Sequence, residues 1–138
     1  MTDAPTVAAL FDAAVATRAH AYAPYSEFRV GAALVTAEGA IHAGCNVENA
    51  AYPVGTCAEA GAISAMVAAG GRRIAAILVL GDGPALCTPC GACRQRIREF
   101  AADDAAILVA GPEGVRARFT LGELLPASFG PANLDARP

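Results

Sequence analysis

The sequence predicts an α/β fold, a three-layer α/β/α sandwich built on one mixed sheet of about five strands. Three observations lead there. Short apolar runs alternate with helical patterns through the middle of the chain, an order that implies strand–helix–strand units with parallel pairing. Two apolar runs nearer the start are separated only by a turn, which implies an antiparallel pair. The length of 138 residues suits one domain with a real core, so residues 1–138 read as a single unit without linker, repeat or low-complexity stretch.

Taken in order, Val7, Leu10, Phe11, Ala14 and Val15 recur at helical spacing on one face, with Thr6 as the expected N-cap and Pro24 as the far limit. Arg29 to Thr36 reads as a strand, "TAEGA" as a turn through Gly39, and Ile41 to Val47 as the returning strand. "ENAAYPVG" is a loop by its Asn, Pro and Gly content. A helix then runs from Thr56 to Gly70 and Gly71, followed by a two-sided apolar strand, Ile74 to Leu80. After the loop "GDGPALCTP", "CGACRQRIREFA" forms a second central helix with Pro89 at its entrance. Ala106 to Ala110 and Val115 to Phe119 make two strands around "GPEG", and a helical turn at Leu121 to Leu125 follows Thr120. Residues 1–5 and 131–138 are expected to be poorly ordered.

Composition removes several classes of function. A net charge of −3 and a pI near 5.3 give no electrostatic footprint for nucleic acid. All ten basic residues are arginine, which rules out lysine Schiff-base chemistry and the P-loop lysine. No apolar run reaches the roughly 18 residues that span a bilayer, and "MTDAPTVAALF" lacks the basic start of a signal peptide. A cytoplasmic protein is expected, where cysteines serve as ligands or catalysts more often than as disulfides. The 55% hydrophobic content and mean hydropathy of +0.42 point to an oligomer that hides part of its surface.

"CTPCGACRQ" carries Cys87, Cys90 and Cys93, three of the five cysteines. Iron–sulfur binding is weakened because Arg94, Gln95 and Arg96 stand where the bacterial cluster spacing continues to a fourth cysteine. A redox dithiol at a helix start is compatible with the context but leaves one cysteine unused. Cys45 and Cys87 read as ordinary packing. Zinc accounts for more. Cys90 and Cys93 lie one turn apart at the start of a helix, where the N-terminal dipole favours thiolates. Cys57, at the start of the other central helix, is the candidate third ligand. Three protein ligands leave one coordination position free, the mark of a catalytic zinc.

Glu59 decides between a metal-binding module and an enzyme. Alone, Thr56-x-x-Glu59 would be a capping box. Together, Cys57-Ala58-Glu59 and Pro89-Cys90-Gly91-Ala92-Cys93 form the ligand-x-Glu and Pro-Cys-x-x-Cys pattern of zinc nucleobase deaminases, in which the glutamate is not a ligand.

From about Ala23 to Phe129 the chain resembles the small homotetrameric cytidine deaminases, through "SEFRVGAAL", "NVENAAYP", "CAE", "PCGACRQ" and "ELLPASF". The resemblance implies the α/β/α fold, one zinc per subunit, and hydrolysis of cytidine and deoxycytidine to the uridines and ammonia. It implies that Glu59 moves protons between the attacking water, N3 and the departing amine. Asn46 and Glu48 would bind the ribose 3′-hydroxyl, Phe28 would line the pyrimidine, and Phe129 would be lent to a neighbouring subunit's site. The backbone N–H of Ala58, at a helix start, is placed to bind the ring carbonyl. "CAEA" is also similar to the blasticidin-S deaminases, which act on a modified cytosine nucleoside, whereas Phe28 and "NVENAAYP" favour cytidine. Many of these enzymes carry arginine directly after the glutamate, where this chain has Ala60. Either another arginine offsets the thiolate charge in its place, with Arg94 the first candidate, or this zinc is less acidifying.

Overall fold

The computed structural model describes residues 2–135. Helix α1 (Ala4–Arg18) is followed by strands β1 (Gly31–Thr36) and β2 (Ile41–Cys45), joined by a turn in which Gly39 has φ 94°. Helix α2 (Ala58–Ala68) leads to β3 (Ile74–Leu80), and helix α3 (Gly91–Phe100) runs directly into β4 (Ala101–Gly111). Strand β5 (Gly114–Thr120) and two short helical pieces, α4 (Leu121–Leu124) and α5 (Pro131–Leu134), complete the described chain.

The five strands form one sheet in the order β2-β1-β3-β4-β5. Only β3 and β4 are parallel, because α3 is the one crossover between neighbouring strands; the other pairs are antiparallel. This is the mixed sheet that the alternation of elements predicts. β1 is buried along its whole length, and its residues alternate between two apolar layers. Ala33 and Val35 join Leu10 and Ala14 of α1 with Leu78, Leu80 and Leu108. Ala32 and Leu34 join Ala62 and Met66 of α2 and Ile97 of α3 with Ile77 and Ile107. Helices on both faces of one sheet make the three layers.

Two glycines permit this close layering. A Cβ at Gly31 would overlap the Ala14 carbonyl of α1, and one at Gly44 of β2 would overlap the Ala62 amide of α2. Larger residues at either point would push a helix off the sheet.

Local details depart from the sequence expectations. Asp3 rather than Thr6 caps α1, its Oδ1 accepting from the Thr6 N–H at 2.9 Å. β4 begins five residues before the expected Ala106, because pairing with β3 extends back to Ile74 and Ala101. Residues 4 and 5, expected to be poorly ordered, form the first turn of α1, and 131–134 form α5. Met1 and residues 136–138 lie outside the described residues.

Candidate metal centre

The chemistry gathers where α2 and α3 begin, on the same face of the sheet. Cys57 is the N-cap residue of α2 and Cys90 that of α3, both with extended backbone. Cys93 is the third residue of α3, one turn beyond Cys90. Their three sulfurs all lie within 4.8 Å of one another. Sulfurs bound tetrahedrally to one zinc at 2.3 Å sit about 3.8 Å apart, so small side-chain rotations bring this set onto an ion. None of the three is in a disulfide. Cys93 is buried, Cys57 half-buried and Cys90 exposed, so the cluster reaches the surface at Cys90.

The thiols themselves fit a cation. Burial pushes the Cys93 thiol well up, and the charges of Glu59 and Cys57 push it further. A divalent ion in their midst would reverse both effects. Cys90 is held below its ordinary value, first by the Cys93 amide at the head of α3, against some desolvation. Its sulfur does not reach true capping geometry, so those N–H groups act as nearby dipoles and the sulfur stays free for a ligand.

Glu59 is the second residue of α2 and only 5% exposed. The capping box of Thr56 and Glu59 is not formed, since Cys57 takes the N-cap position and the glutamate turns inward. Burial raises the Glu59 carboxyl, opposed by its own backbone N–H, the Arg96 charge and a hydrogen bond with Cys93. A buried carboxyl beside three candidate metal ligands is placed to take and return a proton.

The cluster forms one end of a cavity of about 590 Å³, lined also by Asn46, Glu48, Ala58, Glu59 and Cys87. Backbone pairing sets the far wall. Val47 bonds with Thr56 in both directions, at 3.0 and 2.9 Å, while Tyr22 pairs with Asn46 and Glu48 on the other side. Asn46 and Glu48, two residues apart in an extended segment, therefore share one face.

Both side chains are already tied to the 25–30 loop. Asn46 accepts from the Val30 N–H at 2.9 Å and donates to the Phe28 carbonyl at 2.8 Å. Glu48 accepts from the Tyr25 and Ser26 amides at 2.9 and 3.1 Å and from the Ser26 hydroxyl. That hydroxyl, more than any other group, holds the Glu48 carboxyl below its usual value.

Not every expected residue reaches the cavity. Phe28, 40% exposed, packs at Gly81 next to Cys87 rather than on the lining itself. Phe129 is 57% exposed and lines a separate cavity with Gln95, whose Nε2 donates to its carbonyl at 2.8 Å.

Arg94 is a correction. Its guanidinium is turned to Pro89, Leu124 and Thr88, where it braces the entry of α3 and contacts no sulfur. Arg96 instead donates to Cys93 Sγ at 3.5 Å. The helix explains the exchange. A residue three positions after Cys93 shares its face, whereas the next residue is about 100° away. Tyr25, Ser26 and Cys87 were also missed as lining; only the side-chain ties of Glu48 to the loop reveal the first two.

Residues 6–109 match the family model described as the cytidine and deoxycytidylate deaminase zinc-binding region. The chain belongs to this family. It is 41% identical over 118 residues to the cytidine deaminase of Sporosarcina psychrophila, covering 86% of this chain and 87% of that one. It is 41% identical over 112 residues to that of Mycobacterium tuberculosis strain H37Rv, covering 81% and 80%. The crystal structure of cytidine deaminase from Burkholderia pseudomallei superposes with a TM-score of 0.82 at 46% identity, covering 88% of this chain and 98% of that one. For a family whose matching region is itself zinc-binding, Cys57, Cys90 and Cys93 are the group able to hold the ion among the described residues.

Proposed function

We propose that this chain hydrolyses cytidine and deoxycytidine to uridine and deoxyuridine, releasing ammonia. The observation that carries the reading is a buried carboxyl, Glu59, two residues from Cys57 in a set of three converging cysteines, lining the same cavity of about 590 Å³. Cys57, Cys90 and Cys93 would hold a zinc ion, which would supply a Lewis acid that makes the attacking water more acidic.

The chain's own residues do the rest. Glu59 takes a proton from the attacking water and delivers it to N3 of the pyrimidine, so that C4 becomes electrophilic. It then passes a proton to the departing amine. Ala58 is the first residue of α2, so its N–H has no acceptor within the helix and is free to bind the ring carbonyl O2.

The sugar is read by what remains of two hydrogen-bonding groups. Asn46 keeps one N–H of its amide, and Glu48 keeps one acceptor site after three bonds to the loop. A ribose 3′-hydroxyl that accepts from the first and donates to the second satisfies both. A free base would leave them unpaired, which selects for nucleosides. Phe28 backs the pyrimidine wall from its place at Gly81.

Phe129 and the exposed Tyr22, Tyr52 and Val54 are apolar surface of the kind that another copy of the chain covers. We assign them to a homotetramer in which Phe129 closes a neighbour's cavity. Residues 1–138 would contribute one domain to each such subunit. Unpaired thiols at every cysteine suit the reducing cytoplasm. Among the described residues no helix is long and apolar enough to cross a membrane.

Loss of cytidine's ultraviolet absorbance on adding the protein tests the reaction, and a chelator should abolish it. Elemental analysis is expected to find one zinc per chain; cytidine left intact by zinc-loaded protein would remove the reading.

A further inference from the structure

Helix α3 carries three arginines, Arg94, Arg96 and Arg98, and they have different partners. Arg94 braces the loop before the helix, Arg98 donates to the Ser128 hydroxyl at 2.9 Å, and Arg96 donates to Cys93 Sγ at 3.5 Å. Among the described residues Arg96 is the one guanidinium hydrogen-bonded to a sulfur of the metal centre.

The centre needs positive charge. With an ion bound, three thiolate ligands would carry three negative charges, of which a divalent cation cancels two. Arg96 lies three residues after Cys93 on the same face of α3, which brings its guanidinium to that sulfur. A cation bonded to sulfur also fixes where that sulfur's lone pairs point.

We propose that Arg96 is a positioning residue of the metal centre, orienting the Cys93 sulfur towards the ion and offsetting part of the charge of the three thiolates. The inference rests on the zinc reading of those cysteines. Its side chain is largely exposed, so the effect sits at the low end of what supporting residues contribute to metal affinity.

The test is zinc affinity, measured by competition with a chromophoric chelator in wild type, Arg96→Gln and Arg96→Lys, together with the melting temperature of each metal-free protein. Arg96→Gln should weaken zinc binding by about 10-fold. Arg96→Lys, which keeps the charge and loses the planar fork, should fall between the two. The metal-free melting temperatures should not differ. Equal zinc affinity in wild type and Arg96→Gln overturns the inference, as does a lysine variant no better than the glutamine one. A drop in metal-free stability with unchanged affinity would make Arg96 a support of the fold alone. Wild-type protein that binds no zinc would instead fail the zinc reading itself.

Discussion

The starts of helices α1 to α4 fall into two kinds. At α1 and α4 a side-chain oxygen caps the first turn: Asp3 accepts from Thr6, and Thr120 with Glu123 forms a complete capping box. At α2 and α3 the N-cap is cysteine, and neither sulfur makes a capping hydrogen bond. An oxygen cap satisfies the orphan amides and stabilises the helix. A sulfur cap leaves the amides and the dipole available to something else. The first pair of helix starts serves stability, and the second, in the proposed function, is where metal and substrate would bind. Packing beneath α2 and α3, through Ala62, Met66 and Ile97, compensates for the missing caps.

That contrast can be broken or sharpened by substitution. Glu59→Ala should reduce kcat by roughly 10²–10⁴-fold while zinc content stays at the wild-type level, because in the proposed mechanism the carboxyl moves protons and is not a ligand. Rate and elemental analysis on the same preparation check it. Leu10→Ala, in the layer under α1, should cost about 2–5 kcal/mol of stability in denaturant melts and leave zinc content unchanged. Thr120→Ala removes an oxygen cap and should cost about 1 kcal/mol, again without touching the metal. Cys90→Ser supplies the oxygen that α3 lacks. It should abolish zinc binding, yet the metal-free variant should melt no lower than metal-free wild type in calorimetry. Metal-free Cys90→Ser that melted well below wild type would show that sulfur caps the helix after all, and the two kinds of start would merge.

Much of this was legible in the sequence because the signals are local and periodic. The 3.6-residue recurrence from Val7 to Val15, the glycines at 39 and 70, and the short apolar runs locate the main elements. Cys57, Glu59, Cys90 and Cys93 could be picked out because metal chemistry demands those residue types at the start of helices. Errors came where two local readings compete. Thr6 and Asp3 are both good caps, and Thr56-x-x-Glu59 has a capping pattern that burial of the glutamate overrides. Arg94 adjoins Cys93 in sequence, but Arg96 adjoins it on the helix surface, a signal available from spacing alone.

The sequence by itself determined the element types, the deaminase pattern and the set of candidate ligands, since each depends on residue chemistry and short-range spacing. Only the tertiary structure decided that sulfurs from two helices separated by a whole strand stand within 4.8 Å of one another. It alone placed Asn46 and Glu48 against the 25–30 loop and chose which arginine meets sulfur. The physical reason is distance along the chain. Register in a mixed sheet and the packing of two helices on one face bring together groups that no local propensity can relate.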